Sequence, residues 1–153
     1  MIQRIQTIYL LFATVLISLM HFFPIVKILT VSNAIVVFRS HGFFAESMAE
    51  GLLPSVPFFI LISVVMLLYV AAIFLFRNRN LQARICRLNI LLLIGSLGLM
   101  TYYILQMYKK MAGVEYSFQI AVLFPLISIV LTWLAIRGIV KDEALVRSVD
   151  KIR

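Results

Sequence analysis

Few side chains in this sequence could take part in catalysis or metal binding. The histidines are His21 and His41, and the single cysteine is Cys86. Haem or metal ligation would need the histidines to converge with a third ligand, and one cysteine excludes an intramolecular disulfide. Glu46 and Glu50 are four residues apart and could bind a proton or a cation on a helical face, although a solvated loop explains them more simply. We therefore predict no catalytic residue, no metal site and no cofactor.

Catalytic motifs are also missing from the sequence. There is no zinc-protease motif, no glycine-rich phosphate loop and no serine or cysteine triad pattern. No acidic or basic residue lies in the middle of any long apolar run. Ionisable groups inside membrane segments mark proton and ion pathways. Their absence from the sequence argues against a proton-coupled transporter or pump, and we expect a protein that is not an enzyme.

A basic stretch separates two uncharged apolar runs, which cover residues 58–76 and 88–107. It contains four arginines: Arg77, Arg79, Arg84 and Arg87. At the centre of a bilayer an arginine costs about 2.5–3.5 kcal/mol, so this stretch must lie in water or among lipid headgroups. The sequence therefore predicts a short turn between two membrane spans, and Cys86 within it is expected to be a plain interfacial cysteine.

The composition indicates that lipid is the main solvent of the chain. Of the 153 residues, 63% are hydrophobic, whereas ordinary globular domains contain about 45–50% apolar residues. The net charge is +8, which in a soluble protein would favour nucleic acid as a partner. Here the charges lie at the ends of apolar runs, which favours a topological role. The expected partners are the lipid bilayer, other inner-membrane proteins and anionic lipid at the cytoplasmic face, with no nucleic acid.

The apolar runs predict a single integral membrane domain, residues 1–153, with four helical spans. Their approximate bounds are 5–23, 52–76, 85–107 and 116–137. Each is close to the ~20 residues that cross the hydrocarbon core. Pro24 ends the first span because proline cannot continue a helical hydrogen-bond ladder. An outer loop (24–51) and a cytoplasmic tail (138–153) complete the chain.

The third and fourth spans contain residues that could bring helices together. The small or polar residues of the third span are Asn89, Gly95, Ser96 and Gly98. Such residues let helices approach closely or hydrogen-bond, either within one bundle or against another protein, and both interpretations stay open. In the fourth span Pro125 frees a backbone carbonyl, which could form a hinge or a binding notch.

The outer loop is rich in β-branched residues. Residues 25–31 and 35–39 flank Ser32 and Asn33, a pattern that predicts two short strands joined by a turn. An interfacial helix over residues 43–50 is an alternative that can coexist with the strands. The predicted fold is thus an all-α membrane protein, a bundle of four transmembrane helices with a small extracytoplasmic β-hairpin cap and a cytoplasmic C-terminal amphipathic helix.

The tail repeats apolar residues on one helical face, at Leu145, Val149 and Ile152. Its charged residues are candidates for interaction: Asp142, Glu143, Arg147 and Asp150. Most lysines and arginines lie in the N-terminus, the arginine turn and this tail, so the positive-inside rule places both termini in the cytoplasm. We expect at least one tail acid to pair with an arginine of the turn while the apolar face covers the inner ends of the helices.

Three motifs are more specific than the composition. They are residues 1–10, Asn78-Arg79-x-Leu81-Gln82, and Lys141-Asp142-Glu143-x-Leu145-Val146-Arg147-Ser148-x-Asp150-x-x-Arg153. On these motifs the chain resembles an uncharacterised family, a domain of unknown function found in small four-span inner-membrane proteins of Gram-negative bacteria, in the group that includes gut anaerobes and gliding bacteria. The resemblance implies four helices in a bacterial inner membrane, and it implies no activity.

These observations favour a non-enzymatic role. We expect an accessory or scaffolding subunit of a larger membrane assembly, because lipid-compatible spans and a basic inner face occur without a catalytic set. The alternative is a small-molecule or lipid carrier with a cavity between spans three and four, behind Pro125 and Asn89. A wet cavity reaching the middle of the bilayer would favour the carrier.

Overall fold

The computed structural model describes residues 2–30, 34–45, 51–76, 78–110 and 113–150. Its helices are α1 (Ile2–Leu19), α2 (Val56–Phe74), α3 (Arg79–Lys110) and α4 (Leu123–Asp150). Its strands are β1 (Val26–Thr30), β2 (Ile35–Arg39), β3 (Gly42–Ala45), β4 (Gly51–Pro54) and β5 (Gly113–Phe118). Every strand connects to the same end of the helices. We call this end the sheet side, and the end with the α2–α3 connection the turn side.

Three helical segments are long and apolar enough to cross a membrane. They are Val56–Phe74, Arg79–Lys110 and Ile120–Ala144, whereas the apolar part of α1, Ile5–Leu19, is shorter. Large apolar side chains remain on the outside of these helices, such as Leu67 and Leu91, which are 67% and 65% exposed. Exposed apolar surface on this scale is costly in water and favourable in lipid. These features are those of a membrane protein, with three helices among the described residues that could cross a bilayer.

The helices pack as antiparallel neighbours. The contacts join α1 to α4 and α2, and α3 to α2 and α4. Each helix buries one apolar stripe, including Leu10 in α1, Ile62 in α2, Leu93 in α3 and Ile139 in α4, all with no exposed surface. The α2–α3 connection is short and the other two connections contain the strands, so successive helices run in opposite directions and neighbours in the bundle are antiparallel.

The strands form one antiparallel sheet of five strands in the order β4-β3-β2-β1-β5. The predicted pairing of the first two strands is confirmed, with Leu29 opposite Ile35, while the predicted turn at 31–33 lies outside the described residues. The chain is mostly helical, as predicted, but its described sheet has five strands where a two-stranded hairpin was predicted. Backbone N–H and C=O groups that stay unpaired in a poorly hydrated interface are costly, and both edges of β1 are therefore used.

Parts of three predicted helical segments are strands in the structure. The second predicted span began at residue 52, but Gly51–Pro54 form β4, which pairs with β3. Residues 42–45 form β3 instead of the start of an interfacial helix, because they pair with β2; Glu46 and Glu50 lie outside the described residues. The predicted fourth span began at Tyr116, but 113–118 form β5, with Ser117 opposite Lys27. The gain from pairing with a distant strand outweighs the local helical preference here.

The fourth helix begins later than predicted and continues further. A short 3-10 helix, Ile120–Val122, leads into α4. Pro125 is therefore in the first turn of α4, where its missing N–H leaves no helical carbonyl without a partner. The freed carbonyl from which a hinge or notch was predicted is thus absent at this position of the helix. The tail was predicted to be a short helix that could continue the fourth span, and α4 does continue to Asp150. The side chains of 145–150 and residues 151–153, including the predicted apolar face, lie outside the described part.

Candidate functional site

β5 forms an open edge of the sheet, since among the described residues it pairs with β1 alone. The N–H of Gln119 donates to the carbonyl of Ile25 at 3.0 Å. Along an antiparallel strand the backbone groups point alternately to one neighbour and to the other. The backbone N–H and C=O groups of Ser117 therefore point to β1, as the N–H of Gln119 does. The backbone groups of Tyr116 and Phe118 point to the free side of β5.

The opposite edge, β4, is protected. The N–H of Ser55 donates to the carbonyl of His41 at 3.2 Å, so the alternation places the nitrogen of Pro54 on the free side of β4. Proline has no N–H, and it is one of the residues that prevent other strands from adding to a sheet edge. Residues 113–118 of β5 contain no proline and no lysine. Glu115 is the single charge there.

Aromatic side chains accompany the open edge. Tyr116 and Phe118 are 54% and 58% exposed, and their ring centroids are 5.1 Å apart. The ring of Tyr108, in the last turns of α3, lies 5.8 Å from that of Tyr116. An unpaired strand with exposed aromatic residues is the geometry by which a partner strand extends a sheet, through main-chain hydrogen bonds and side-chain contacts.

A groove lies between the sheet-side half of α3 and β5, with a volume of about 450 Å³. From α3 it is lined by Leu97, Met100, Thr101, Ile104, Leu105 and Tyr108, and from the following segments by Tyr116, Phe118 and Val122. Its walls are almost entirely apolar. A cavity was predicted between spans three and four, behind Pro125 and Asn89. The groove lies at a different position, since neither of these residues lines it.

A second cavity, of about 360 Å³, lies on the other side of the end of α3. Polar and charged residues contribute to its wall, namely Gln106, Lys109 and Lys110. Phe43 and Pro54 provide the sheet side of the same cavity. The two lysines end α3, where positive charges are favourable because the last helical carbonyls point toward them.

Polar groups inside the bundle link three helices. Thr132 Oγ1 donates to the carbonyl of Ser128 at 2.6 Å, so Tyr69 Oη donates to Thr132 Oγ1. This contact joins α2 to α4. Between α3 and α2, Gln82 Nε2 donates to the carbonyl of Ala72 at 3.0 Å. These are neutral hydrogen bonds between fully or largely buried groups, and they fix the depth of the helices relative to one another.

Asn89 is fully buried at the centre of the bundle. Among the described residues, neither its Nδ2 nor its Oδ1 has a partner, and the same holds for Ser128 Oγ. Asn89 lies about 10 Å along α3 from Gln82, toward the sheet side. Ser128 lies about 6 Å along α4 from Thr132 in the same direction, and Tyr69, the partner of Thr132, is itself about 4.5 Å nearer the sheet side than Ala72, the partner of Gln82. The predicted candidate Asn89 thus shares a level with Ser128, which the sequence did not single out.

The histidines meet on the sheet side, which the sequence did not predict. Their ring centroids are 6.1 Å apart. His21 Nε2 lies 3.2 Å from Ser63 Oγ, and His41 Nδ1 lies 3.0 Å from Ser40 Oγ. His21 follows the end of α1, and burial is the main reason why its pKa is lowered, with a smaller contribution from the charge of His41 and an opposing one from the backbone of Ile17. Among the described residues no group of three metal-ligating side chains is present.

On the turn side, the two ends of the chain are held together. Gln6 Nε2 donates to Asp142 Oδ2 at 2.8 Å, and both side chains are buried. A Cβ at Gly138 would lie 2.8 Å from Gln6 Cγ, so glycine permits this close approach of α1 to α4. Asp142 was one of three tail acids of which at least one was expected to pair with an arginine of the turn. Its observed donor is an amide of α1, because α1 is the helix against which α4 packs.

The other predicted interaction residues are scattered. On the turn side Arg79 is half-buried, Arg84 and Arg87 are exposed, and Arg87 Nε donates to the carbonyl of Ala83 in its own helix. Arg77 lies outside the described residues, as do the side chains of Arg147 and Asp150. Glu143 is half-buried and interacts with its surroundings. The pairing of a tail acid with the turn remains a prediction.

The small residues of α3 do not act together. Ser96 is buried and donates to the carbonyl of Leu93 at 2.7 Å. Gly95 and Gly98 are exposed, and a Cβ on either would meet no atom within 4 Å. They therefore do not mediate packing with the described part of the chain. Cys86, expected at the interface, is fully buried, because α3 begins before it and turns it toward α2.

Comparison with known families adds one finding. A family model described as "Domain of unknown function (DUF4293)" matches residues 2–152. A search of curated proteins gives no match.

Proposed function

Since the chain belongs to the DUF4293 family, whose description names no activity, we propose its function from its structure. It is a non-enzymatic accessory or scaffolding subunit of a larger membrane assembly. The observation that supports this role best is the open edge of β5, where Tyr116 and Phe118 present unpaired backbone groups beside exposed aromatic rings. Sheet edges of this kind pair readily with other chains unless they are protected.

The partner of this edge is an extended segment of another membrane or envelope protein. Such a segment adds as a sixth strand beside β5, and its N–H and C=O groups pair with those of Tyr116 and Phe118. The side chains of these two residues contribute apolar contact, and Glu115 contributes charge on the opposite face of the strand. The membrane spans hold the sheet at a fixed distance from the bilayer, which is what a scaffold requires.

In this proposal all four helices cross a bacterial inner membrane. The shorter α1 contacts α4 at both ends, through Gln6 and Asp142 on the turn side and through the rings of Phe23 and Phe124, 6.4 Å apart, on the sheet side. It therefore occupies the same depth as α4. The arginines of the turn place the turn side, and with it both termini, in the cytoplasm.

The test compares single substitutions at the open edge. Tyr116→Pro removes an N–H that β1 does not use, while Tyr116→Thr keeps the N–H and introduces a β-branched side chain that suits a strand. In membranes of the bacterium that encodes the chain, tagged wild-type protein is crosslinked, extracted in mild detergent and analysed for recovered partners. Loss of one interstrand hydrogen bond, about 1–1.5 kcal/mol, lowers recovery by roughly tenfold for Tyr116→Pro. Tyr116→Thr, which lacks the ring but keeps the N–H, recovers less partner than the wild type and clearly more than Tyr116→Pro.

Ser117→Pro serves as a folding control. Its N–H faces β1, so this substitution disturbs the sheet itself and lowers the thermal midpoint, whereas Tyr116→Pro leaves the midpoint near that of the wild type. Wild-type protein that is repeatedly recovered alone would contradict the accessory role. Equal recovery of partners by Tyr116→Pro and Tyr116→Thr would show that β5 is not the docking edge.

A further inference from the structure

Two buried polar side chains of the bundle lack a hydrogen-bond partner in the described part of the chain. Asn89 of α3 and Ser128 of α4 are both fully buried. The Nδ2 and Oδ1 atoms of Asn89 and the Oγ atom of Ser128 bond to no described residue. An unsatisfied buried amide or hydroxyl group is costly, and nearly all such groups in folded proteins are satisfied by protein or by ordered water. These atoms therefore need a partner that the described residues do not supply.

Asn89 differs in this respect from the other buried polar side chains of its own helix. Gln82 donates to the carbonyl of Ala72 in α2 at 3.0 Å. Ser96 donates to the carbonyl of Leu93 at 2.7 Å. Both are satisfied by the chain, although both are as deep in the bundle as its packed apolar residues. The requirement for another partner is thus confined to one position along α3.

The side chains around this position are small. Asn89 and Ser128 belong to helices that pack against each other, and they lie at one level of the bundle. Cys86 precedes Asn89 by three residues on the same face of α3, and Thr132 follows Ser128 by one turn on the same face of α4. All four are fully buried. Cysteine, serine and threonine leave more space beside the amide of Asn89 than leucine or phenylalanine would.

The missing partner must both donate and accept hydrogen bonds, and it must be neutral. The NH₂ group of Asn89 is a donor and its oxygen is an acceptor, whereas a serine hydroxyl can be either. A buried cation would need a compensating carboxylate. Helices α1, α2 and α3 contain no acidic residue, and the nearest acid of α4, Asp142, is about 21 Å along the helix from Ser128. Water meets each requirement and is the smallest molecule that does so.

We propose that water is bound inside the bundle at a hydration site formed by Asn89 and Ser128. This water accepts from the amide of Asn89 and exchanges hydrogen bonds with the hydroxyl of Ser128. It links α3 to α4, as direct hydrogen bonds link α2 to both of these helices. The inference does not depend on the accessory role, because the site is inside the bundle and the proposed docking edge is on the sheet.

The first test measures contact with water in the wild-type protein. The protein, with isotope-labelled asparagine and glutamine side chains, is placed in lipid bilayers, and the amide signals of Asn89 and Gln82 are assigned. Solid-state NMR then follows the transfer of polarisation from water to each amide. Gln82 is the matched control, because its amide is also buried but donates to the chain. Transfer to Asn89 is expected to be several-fold faster than transfer to Gln82.

The second test removes one side of the site. Ser128→Ala replaces the hydroxyl with a hydrogen atom, so transfer from water to Asn89 is expected to fall several-fold. Ser96→Ala is the matched control, since Ser96 is a buried serine whose hydroxyl already bonds to its own helix. It leaves transfer to Asn89 at the wild-type rate. Thermal unfolding of both variants in detergent checks that the bundle is retained.

Three results would refute the proposal. Transfer to Asn89 that is as slow as transfer to Gln82 would show that its amide is dry. Equal transfer in the wild type and in Ser128→Ala would show that Ser128 does not hold the water. A shift of the Asn89 signal when sodium chloride replaces choline chloride in the buffer would identify the partner as a cation.

Discussion

The two sides of the five-stranded sheet are built differently. On the β4 side, Ser55 at the start of α2 donates its hydroxyl to the carbonyl of Ser40 at 2.9 Å and its N–H to the carbonyl of His41 at 3.2 Å. The start of α2 thus holds the β2–β3 connection, and Pro54 closes the free edge. On the β5 side the free edge carries no proline, and its aromatic residues are exposed.

The difference separates an anchoring side from a binding side. Natural sheets protect edges that must not pair, commonly with proline, charge or a covering element. The chain protects the β4 edge in this way and leaves the β5 edge open. A groove also lies beside β5, so the open edge and the groove share one region of the surface. Three substitutions test the contrast between the two sides, in addition to those at the binding side itself.

The largest effect is expected at Gly42, the first residue of β3. Its φ is 154°, which residues with a Cβ rarely adopt, and it is buried. Gly42→Ala therefore strains the anchoring side and lowers the free energy of unfolding by about 1–3 kcal/mol. Thermal unfolding in detergent measures the change. Gly95→Ala is the matched control, because a Cβ there meets no atom within 4 Å, and alanine stabilises a helix by up to about 1 kcal/mol relative to glycine.

A smaller effect concerns pH, again on the anchoring side. Because burial lowers the pKa of His21 below 6.5 in the folded chain, the unfolded chain binds more protons when the pH lies between the two values. Stability is therefore greatest above about pH 6.5 and declines as the pH falls toward the lowered pKa of the folded state. The thermal midpoint, measured from pH 8 to pH 5, follows this course in the wild type. His21→Gln, which cannot take up the proton, should have a flatter profile, and an unchanged profile would show that His21 is not responsible.

The smallest effect is expected when the protected edge is opened. Pro54→Val restores an N–H on the free side of β4 and supplies a residue with strong β propensity. The exposed edge then pairs with other copies, and the dimer fraction in crosslinking at fixed protein concentration rises a few-fold. Pro54→Lys also restores the N–H but adds a charge that disfavours edge pairing. If both variants stay as monomeric as the wild type, Pro54 does not protect the edge.

The helical part of the fold could be predicted from the sequence to a large extent. Uncharged runs of about membrane length place helices by solvation alone, and the arginines between them require a turn in water or headgroups. The predicted segments 52–76 and 85–107 correspond to α2 and α3. The strand pair β1–β2 was predicted for a similarly local reason, since β-branched residues flank a turn signal.

The rest depended on contacts between segments far apart in the sequence. Residues 116–118 have the apolar character of a span, yet they form β5 because β1 offers an unpaired edge at that position. The bond from Gln6 to Asp142 joins residues near opposite ends of the chain, and no local pattern announces it. Cys86 has charged sequence neighbours, but the direction of α3 buries it.

The sequence by itself therefore determined which segments are apolar enough to cross a bilayer and which segment between them is basic, because each residue contributes its own transfer free energy. It also determined the number of long helices and the composition of the turn. Only the tertiary structure decided which strand edge stays open, which groove forms beside α3 and which polar groups meet inside the bundle. Those features arise from pairing and packing between distant elements, and such interactions have no signal in any single stretch of residues.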